Sequence, residues 1–481
     1  LASFPRAKGV AFARCAADHA ARSTVLARSN GPAQISAELA GLIERSLEAL
    51  NANPSARAAL ERAPQTVRDS VRSVFAASNF VAQACARDAQ LLEQLITSGD
   101  LERPLGREQF ALRAPPQPAD LPTDAQVQMA LRRWRRRELV RIAWRDLAGW
   151  ADLTRTLTEL TEFADAAIAA ALSHARRTLV ARYGEPRSPG GEVQPLLIIA
   201  MGKLGGGELN FSSDVDLVLL FPEHGETAGA RGIANEEFFT RLGQGLVQLL
   251  EAPTAEGFVL RVDLRLRPFG DSGPLVWSFA AFEDYLPRHG RDWERYAYVK
   301  ARPVTGVERY AEIESTALRP FVYRRYLDYG VFESLREMKA LIQREVERRE
   351  LADHVKSGPG GIREIEFMVQ ALQLTRGGRD RHLQTPSLFT ALERLAATGL
   401  LPAAAAAELR EAYVFLRRLE NRLQMLNDSQ VHRLPADALS RERIALAMGA
   451  PDWPALSVEL ERQRARVSRH FRLTFGAGEA D

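Results

Sequence analysis

One stretch, residues 196–221, limits most strongly what this chain can fold into: LLIIAMGKLGGGELNFSSDVDLVLLF. It opens on an apolar run of strand length, 196–201, and closes on another, 217–221. Between them lie Gly202, Gly205, Gly206 and Gly207, then the polar connection 208–213. Side chains alternate faces along a strand, so Asp214 and Asp216 share one face while Val215 and Leu217 take the other. Two carboxylates side by side against an apolar core repel one another and are costly to bury. A divalent cation offsets that cost, and Mg²⁺ is a hard ion that takes such oxygen ligands.

A second stretch supplies a third carboxylate. Residues 258–267 read FVLRVDLRLR and alternate with a period of two. Arg261, Asp263, Arg265 and Arg267 fall on one face, and Leu260, Val262, Leu264 and Leu266 on the other. Paired beside the first strand, this one completes a triad of Asp214, Asp216 and Asp263, the candidate catalytic and metal-holding residues. Carboxylates holding ions about 4 Å apart can clamp the attacking and leaving oxygens of a phosphoryl transfer. A lone Asp-x-Asp reads as a solvated strand end; the glycine turn and the third Asp favour the metal instead. Arg261 and Arg265 add a positive rim suited to phosphate oxygens. The turn is not a Walker loop, because Lys203 precedes the glycines and no Gly-Lys-Ser/Thr follows at the required spacing.

A glycine-rich turn, an Asp-x-Asp strand and a third Asp on a neighbouring strand resemble the nucleotidyltransferase fold. The spelling GKLGGGELNFSSDVDL is more specific. It resembles the glutamine synthetase adenylyltransferase/adenylyl-removing family, and in particular its N-terminal, adenylyl-removing half. The resemblance runs from about Ser78 to near the end of the chain and is strongest over 199–221, 257–302 and 358–370. It implies that the turn around Gly205 and Gly206 cradles nucleotide phosphates, with Ser212 or Ser213 assisting. The segment 291–302, RDWERYAYVKAR, reads equally well as a surface helix of mixed charge or as a phosphate contact. The family's similar segment favours the contact, through Arg295, Lys300 and Arg302, with Trp293 and Tyr296 packing. The family also carries a segment similar to GGIREIEF, 360–367, near its active centre. Glu364 and Glu366 are too close to share a helix face, so at most one of them points inward.

A complete member of that family joins two nucleotidyltransferase halves, and this chain shows one Asp-x-Asp unit. The resemblance therefore implies one of two opposed reactions. Asn210 and Ser212-Ser213 ahead of the Asp pair resemble the removing half. The implied reaction is Mg²⁺-dependent phosphorolysis, in which orthophosphate attacks the adenylylated tyrosine of glutamine synthetase to give ADP and free tyrosine. Implied partners are adenylylated glutamine synthetase, orthophosphate, an adenine nucleotide and, as regulator, the PII signalling protein. An adenylyltransferase using ATP, and a non-catalytic nucleotide-sensing domain, stand as alternatives.

The remaining sequence frames this unit. Basic and acidic residues nearly balance, 64 against 61, which marks no general polyanion binder and no nucleic-acid partner. Two cysteines, Cys15 and Cys85, make neither a metal set nor a disulfide framework and fit a cytoplasmic location. No apolar run of eighteen residues appears, so no membrane partner is expected. The start of the chain lacks an initiator Met and a continuous apolar run after its arginines, and reads as the end of a processed or excised fragment.

The expected fold is α+β and predominantly helical. A poorly ordered terminus, 1–33, precedes an N-terminal helical region, 34–191. A nucleotidyltransferase mixed sheet spans 192–305 and a helical bundle spans 306–481. Helices are expected over 78–98, 124–150, 154–183, 235–250, 280–289, 329–351, 365–375, 387–398, 403–427 and 453–475. Arg132, Arg133, Arg135, Arg136 and Arg137 surround Trp134. They read as a solvated helix face over a buried tryptophan rather than as a patch for an acidic partner. His224, His289, His354 and His432 have no ligand set near them in sequence and read as surface or structural residues.

Overall fold

The computed structural model describes residues 35–116, 118, 120–324 and 353–475. The expected terminus 1–33, Cys15 and the helix 329–351 lie outside the described residues. Among the described residues, seven short strands follow in chain order: β1 (Pro186–Arg187), β2 (Leu197–Ala200), β3 (Val215–Phe221), β4 (Glu226–Thr227), β5 (Val262–Asp263), β6 (Val276–Ser278) and β7 (Arg302–Thr305). Five of them form one mixed sheet in the order β5-β3-β2-β7, with β6 also on β3, while β1 and β4 pair separately. β2 lies antiparallel to β3 and β7; β5 and β6 both run parallel to β3. The remaining described chain is largely helical, as expected.

Alternation on β3 divides the core. Val215, Leu217, Leu219 and Phe221 enter the large core shared with helices Leu153–Tyr183 and Asn235–Glu251. Val218 and Leu220 enter a second core with Phe282, Leu286, Tyr298 and Phe321. Asp216 has the same parity as Val218 and Leu220, so it stands on the second face at the strand's start. A third core joins the helices from Ile362 onward, including Ala403–Met425 and Trp453–Phe475.

Three expectations are corrected. The 258–267 strand shrinks to two residues because the Asp263 carboxylate accepts from the Arg265 backbone N–H at 2.9 Å. Such a local turn draws the chain out of the ladder. The single helix 78–98 is two, Asn79–Arg87 and Ala89–Thr97, broken at Asp88, whose side chain caps the second by accepting from the Leu91 N–H. A helix at Ala438–Met448, which the sequence reading passed over, fills the interval between the last two expected helices.

The arginine cluster is mainly structural. Arg132 is buried and donates to the carbonyls of Leu249, in the last turn of helix Asn235–Glu251, and of Ala252 and Gly257 beyond it. Arg135 pairs with Asp428, Arg136 with Glu256, and Arg137 with Asp100 and Glu138, around a buried Trp134.

Candidate active site

The parallel register of β3 and β5 sets Asp216 directly beside Asp263. Neighbouring residues in register on adjacent strands project to the same side of a sheet, so the third carboxylate joins the face of the first two. The proximity is visible in the acidity of Asp216. Burial, then the negative charges of Asp263 and Asp214, push its carboxyl up to about 6, against the opposing charge of Lys356. Gly202 lies over it with φ +54, and a Cβ at that glycine would stand 2.4 Å from Asp216 Oδ2. The glycine is thus required twice, by its left-handed backbone and by the carboxylate it makes room for.

The other two carboxylates are turned to arginines. Asp214 accepts from Arg261 Nε at 2.8 Å and from Gln430 Nε2 at 3.0 Å. Asp263 is held below the usual carboxylate range chiefly by its hydrogen bonds from Arg265. Among the described residues, no three of His, Cys, Asp or Glu are arranged to hold a metal ion. The register brings Asp216 and Asp263 side by side, while Asp214 and Asp263 are ion-paired to Arg261 and Arg265. The donor chemistry nonetheless suits a hard cation: three carboxylates lie near one strand end, and the Asp216 carboxylate, without a hydrogen bond among the described residues, is raised by burial and then by its like-charged neighbours.

The glycine turn is packed into protein. Gly202–Gly205 forms one helical turn, and the N–H groups of Gly205 and Gly206 donate to the carbonyls of Met201 and Gly202. A Cβ at Gly205 would lie 1.9 Å from the Lys300 carbonyl oxygen, whereas at Gly206 the nearest atom is the Pro386 oxygen at 3.3 Å. Close approach of this turn to the backbone at Lys300, just before β7, therefore accounts for Gly205. Ser212 is buried; its N–H donates to Gln424, and its carbonyl and hydroxyl oxygens accept from Arg261. Ser213, by contrast, is half-buried at the mouth of a small recess shared with Arg261 and Phe258.

Lys300 and Arg302 are paired with acids. Lys300 is buried and donates to Glu366 at 2.7 Å; Arg302 holds Asp165 through both nitrogens and also donates to the Leu204 carbonyl. Of the two glutamates in GGIREIEF, Glu366 therefore reaches the catalytic unit. Of the proposed basic rim, Arg265 is the most open, with a side chain 72% exposed.

The sequence reading missed what holds the motif in place. Helix Ala403–Met425 presents Tyr413, Arg417, Glu420, Asn421 and Gln424 to the 203–212 stretch. Glu420 holds Lys203 at 2.9 Å, Tyr413 donates to Glu208 at 2.7 Å, and Arg417 donates to Asn210 at 3.1 Å from its Nε. Asn421 accepts from the Phe211 N–H and Gln424 from the Ser212 N–H. Burial alone would raise Glu420, yet Lys203, His432 and Arg417 hold it well below the usual carboxylate range. His432 pairs with Glu420 at 2.8 Å and lies against the His354 ring, so these two histidines belong to the site's support. His224 pairs with Glu236 at the surface, and His289 lies against Phe269. Lys356, also missed, comes from the glycine-bearing loop before helix Ile362–Arg376 and acts by its charge on both Asp216 and Lys203. The repeated glycines of that loop were its only sequence signal.

Residues 68–316, more than half of the chain, match the family model described as glutamate-ammonia ligase adenylyltransferase. The chain belongs to that family. Within this adenylyltransferase family it is 50% identical over 410 residues to a bifunctional glutamine synthetase adenylyltransferase/adenylyl-removing enzyme of Thioalkalivibrio sulfidiphilus, covering 85% of this chain and 42% of the relative. It is 47% identical over 440 residues to a protein of the same name from Stenotrophomonas maltophilia strain R551-3, covering 92% of this chain and 46% of the relative. The chain thus spans less than half the length of these relatives. Residues 336–475 match a further model, described as GlnD PII-uridylyltransferase. No helix among the described residues is long and apolar enough to cross a membrane.

Proposed function

We propose that this chain removes AMP from an adenylylated tyrosine of glutamine synthetase by phosphorolysis, releasing ADP and the unmodified tyrosine. The observation that carries the reading is the in-register pairing of Asp216 with Asp263 beneath Gly202, with Asp214 beside them. The three carboxylates would hold Mg²⁺, which when bound neutralises charge on the phosphoryl oxygens and on the departing group. Arg265 stands at the open rim and can exchange its carboxylate partner for a substrate phosphate, which offers the same pair of acceptors. Arg261 holds Asp214 through its ion pair. Ser213, half-buried next to Asp214, remains open to a substrate contact, whereas Gly205, Gly206, Ser212, Lys300 and Arg302 act by holding the turn and its neighbours in position.

The chemistry suits a site without a strong base. Orthophosphate is already anionic near neutral pH, and the departing phenol has a pKa of about 10. Positioning and charge stabilisation then carry the step. Assignment to the removing direction rests on the likeness of Asn210 and Ser212-Ser213 to the removing half. Both Asn210 and Ser212 face helix Ala403–Met425, so the likeness bears on which half this is, not on substrate contact. Glutamine synthetase as protein substrate, PII as regulator and a cytoplasmic setting follow from the same resemblance and are part of the proposal.

The test is incubation of the chain with adenylylated glutamine synthetase, Mg²⁺ and orthophosphate, with identification of products. ADP that appears only with phosphate is the expected result. Pyrophosphate formed from ATP and unmodified synthetase would assign the opposite, adenylylating reaction. No Mg²⁺-dependent turnover in either direction would leave a nucleotide-sensing domain.

A further inference from the structure

Away from the carboxylates, the helical region holds a cleft with a volume of ≈ 980 Å³. Its lining includes Arg87, Arg113, Arg133, Arg136 and Arg137, against two acids, Asp88 and Glu256. Three of these arginines are already engaged: Arg113 and Arg137 with Asp100, and Arg136 with Glu256. Arg87 and Arg133 are exposed and have no ion pair among the described residues. Asp88 is occupied as a helix cap. Arg133, Arg136 and Arg137 come from one side of helix Asp124–Leu147, at the i, i+3, i+4 spacing that brings side chains together. A concave wall with guanidinium groups in excess over carboxylates suits a compact ligand carrying several negative charges.

The cleft is wired to the candidate active site. Glu256, on its wall, is two residues from Phe258. Two guanidinium groups lie over the Phe258 ring, Arg135 at 4.8 Å and Arg261 at 5.0 Å from its centroid. Arg135 belongs to the same helix as the cleft's arginines, and Arg261 is the ion-pair partner of Asp214. A second wall residue, Asn427, accepts from Asn79 at 3.0 Å and adjoins Asp428, the partner of Arg135.

We propose that this cleft is a second ligand site, for a small polyanion bearing phosphate or carboxylate groups. Its occupant competes with Glu256 for Arg136 and so shifts the Phe258–Arg261 contact that sets Asp214. Occupancy at the cleft does not depend on the function proposed above; its effect on turnover does.

The experiment is calorimetric titration of the chain with citrate and, separately, with inorganic pyrophosphate, the two arms distinguishing carboxylate from phosphate recognition. It compares the parent with Asp216→Asn and with the double variant Arg87→Gln/Arg133→Gln. Binding of either probe is expected to persist in Asp216→Asn and to weaken about tenfold or more in the double variant, since each charge-assisted bond contributes about that factor. Equal affinity in the double variant and the parent, loss confined to Asp216→Asn, or no binding of either probe to the parent would overturn the site. With adenylylated synthetase and phosphate, the binding probe should change ADP release by the parent but not by the double variant. An unchanged rate for the parent with the probe bound would overturn the coupling. Absence of any turnover would overturn the proposed function and leave the binding result standing.

Discussion

At the scale of single residues, Asp216 is the group on which the site's electrostatics turn. It is the carboxylate that burial and two like charges push up to about 6. A carboxyl with a raised folded pKa binds more protons in the folded state than in the unfolded one between about 4 and 6. Its contribution to stability is therefore most favourable at low pH and worsens as pH rises through 6. In metal-free protein at pH 7, Asp216→Asn should stabilise by about 1–2 kcal/mol, since it removes a charge held there at a cost. Urea unfolding of both proteins at pH 4.5 and pH 7.5 checks this; the variant's advantage should be present at the higher pH and shrink at the lower. The same substitution should slow phosphate-dependent ADP release on the order of 10²-fold, the loss typical of a missing electrostatic group in a preorganised site. A parental rate would remove Asp216 from the mechanism.

At the scale of elements, the glycine turn and helix Ala403–Met425 form one unit. The turn's glycines differ in what they meet. Gly205 faces the Lys300 carbonyl with no room for a methyl group, while Gly206 has a single backbone oxygen at 3.3 Å. Gly205→Ala should cost about 3 kcal/mol or more in stability, because a backbone group must move; Gly206→Ala should cost less than about 1 kcal/mol. Thermal unfolding of the two variants side by side measures the contrast. Equal losses would show that the turn relaxes as a whole. Neither distinction was legible in the run of glycines, because which one touches the Lys300 backbone depends on how the turn is seated. Helix Ala403–Met425 was legible as a helix, but its buried polar stripe, Tyr413, Arg417, Glu420, Asn421 and Gln424, had no visible partner. The partners lie about two hundred residues earlier in the chain.

At the scale of the whole molecule, buried ion pairs tie the C-terminal helices to the sheet. Lys300 meets Glu366 and Lys203 meets Glu420, joining the segment that leads into β7 and the glycine turn to helices Ile362–Arg376 and Ala403–Met425. Burial would raise Glu366, but Lys300 holds it down to about 2. A carboxylate depressed in the folded state contributes stability that is complete above its unfolded pKa, near 4.5. That stability is lost as pH falls toward 2. The chain should accordingly lose stability steeply below about pH 4.5, opposite in sign to the Asp216 effect. Glu366→Gln should lower stability at pH 7 by about 3 kcal/mol, leaving Lys300 buried without its counter-charge, and should flatten the acid limb of the unfolding profile. An unchanged acid limb would place the acid sensitivity elsewhere.

The sequence by itself determined the alternation on β3, the Asp-x-Asp on one face, the third carboxylate with its arginines and most of the helices. These are local properties: apolar period, capping residues and glycine content act over a few neighbours. Only the tertiary structure decided that β5 lasts two residues, that the triad's outer carboxylates pair with arginines, and that Ser212, Lys300 and Arg302 are occupied by protein partners. A charged side chain does not reveal from its own surroundings in sequence whether a phosphate or a buried carboxylate will neutralise it. Both satisfy the same charge and the same hydrogen bonds, and the choice is made by which helix packs against which turn.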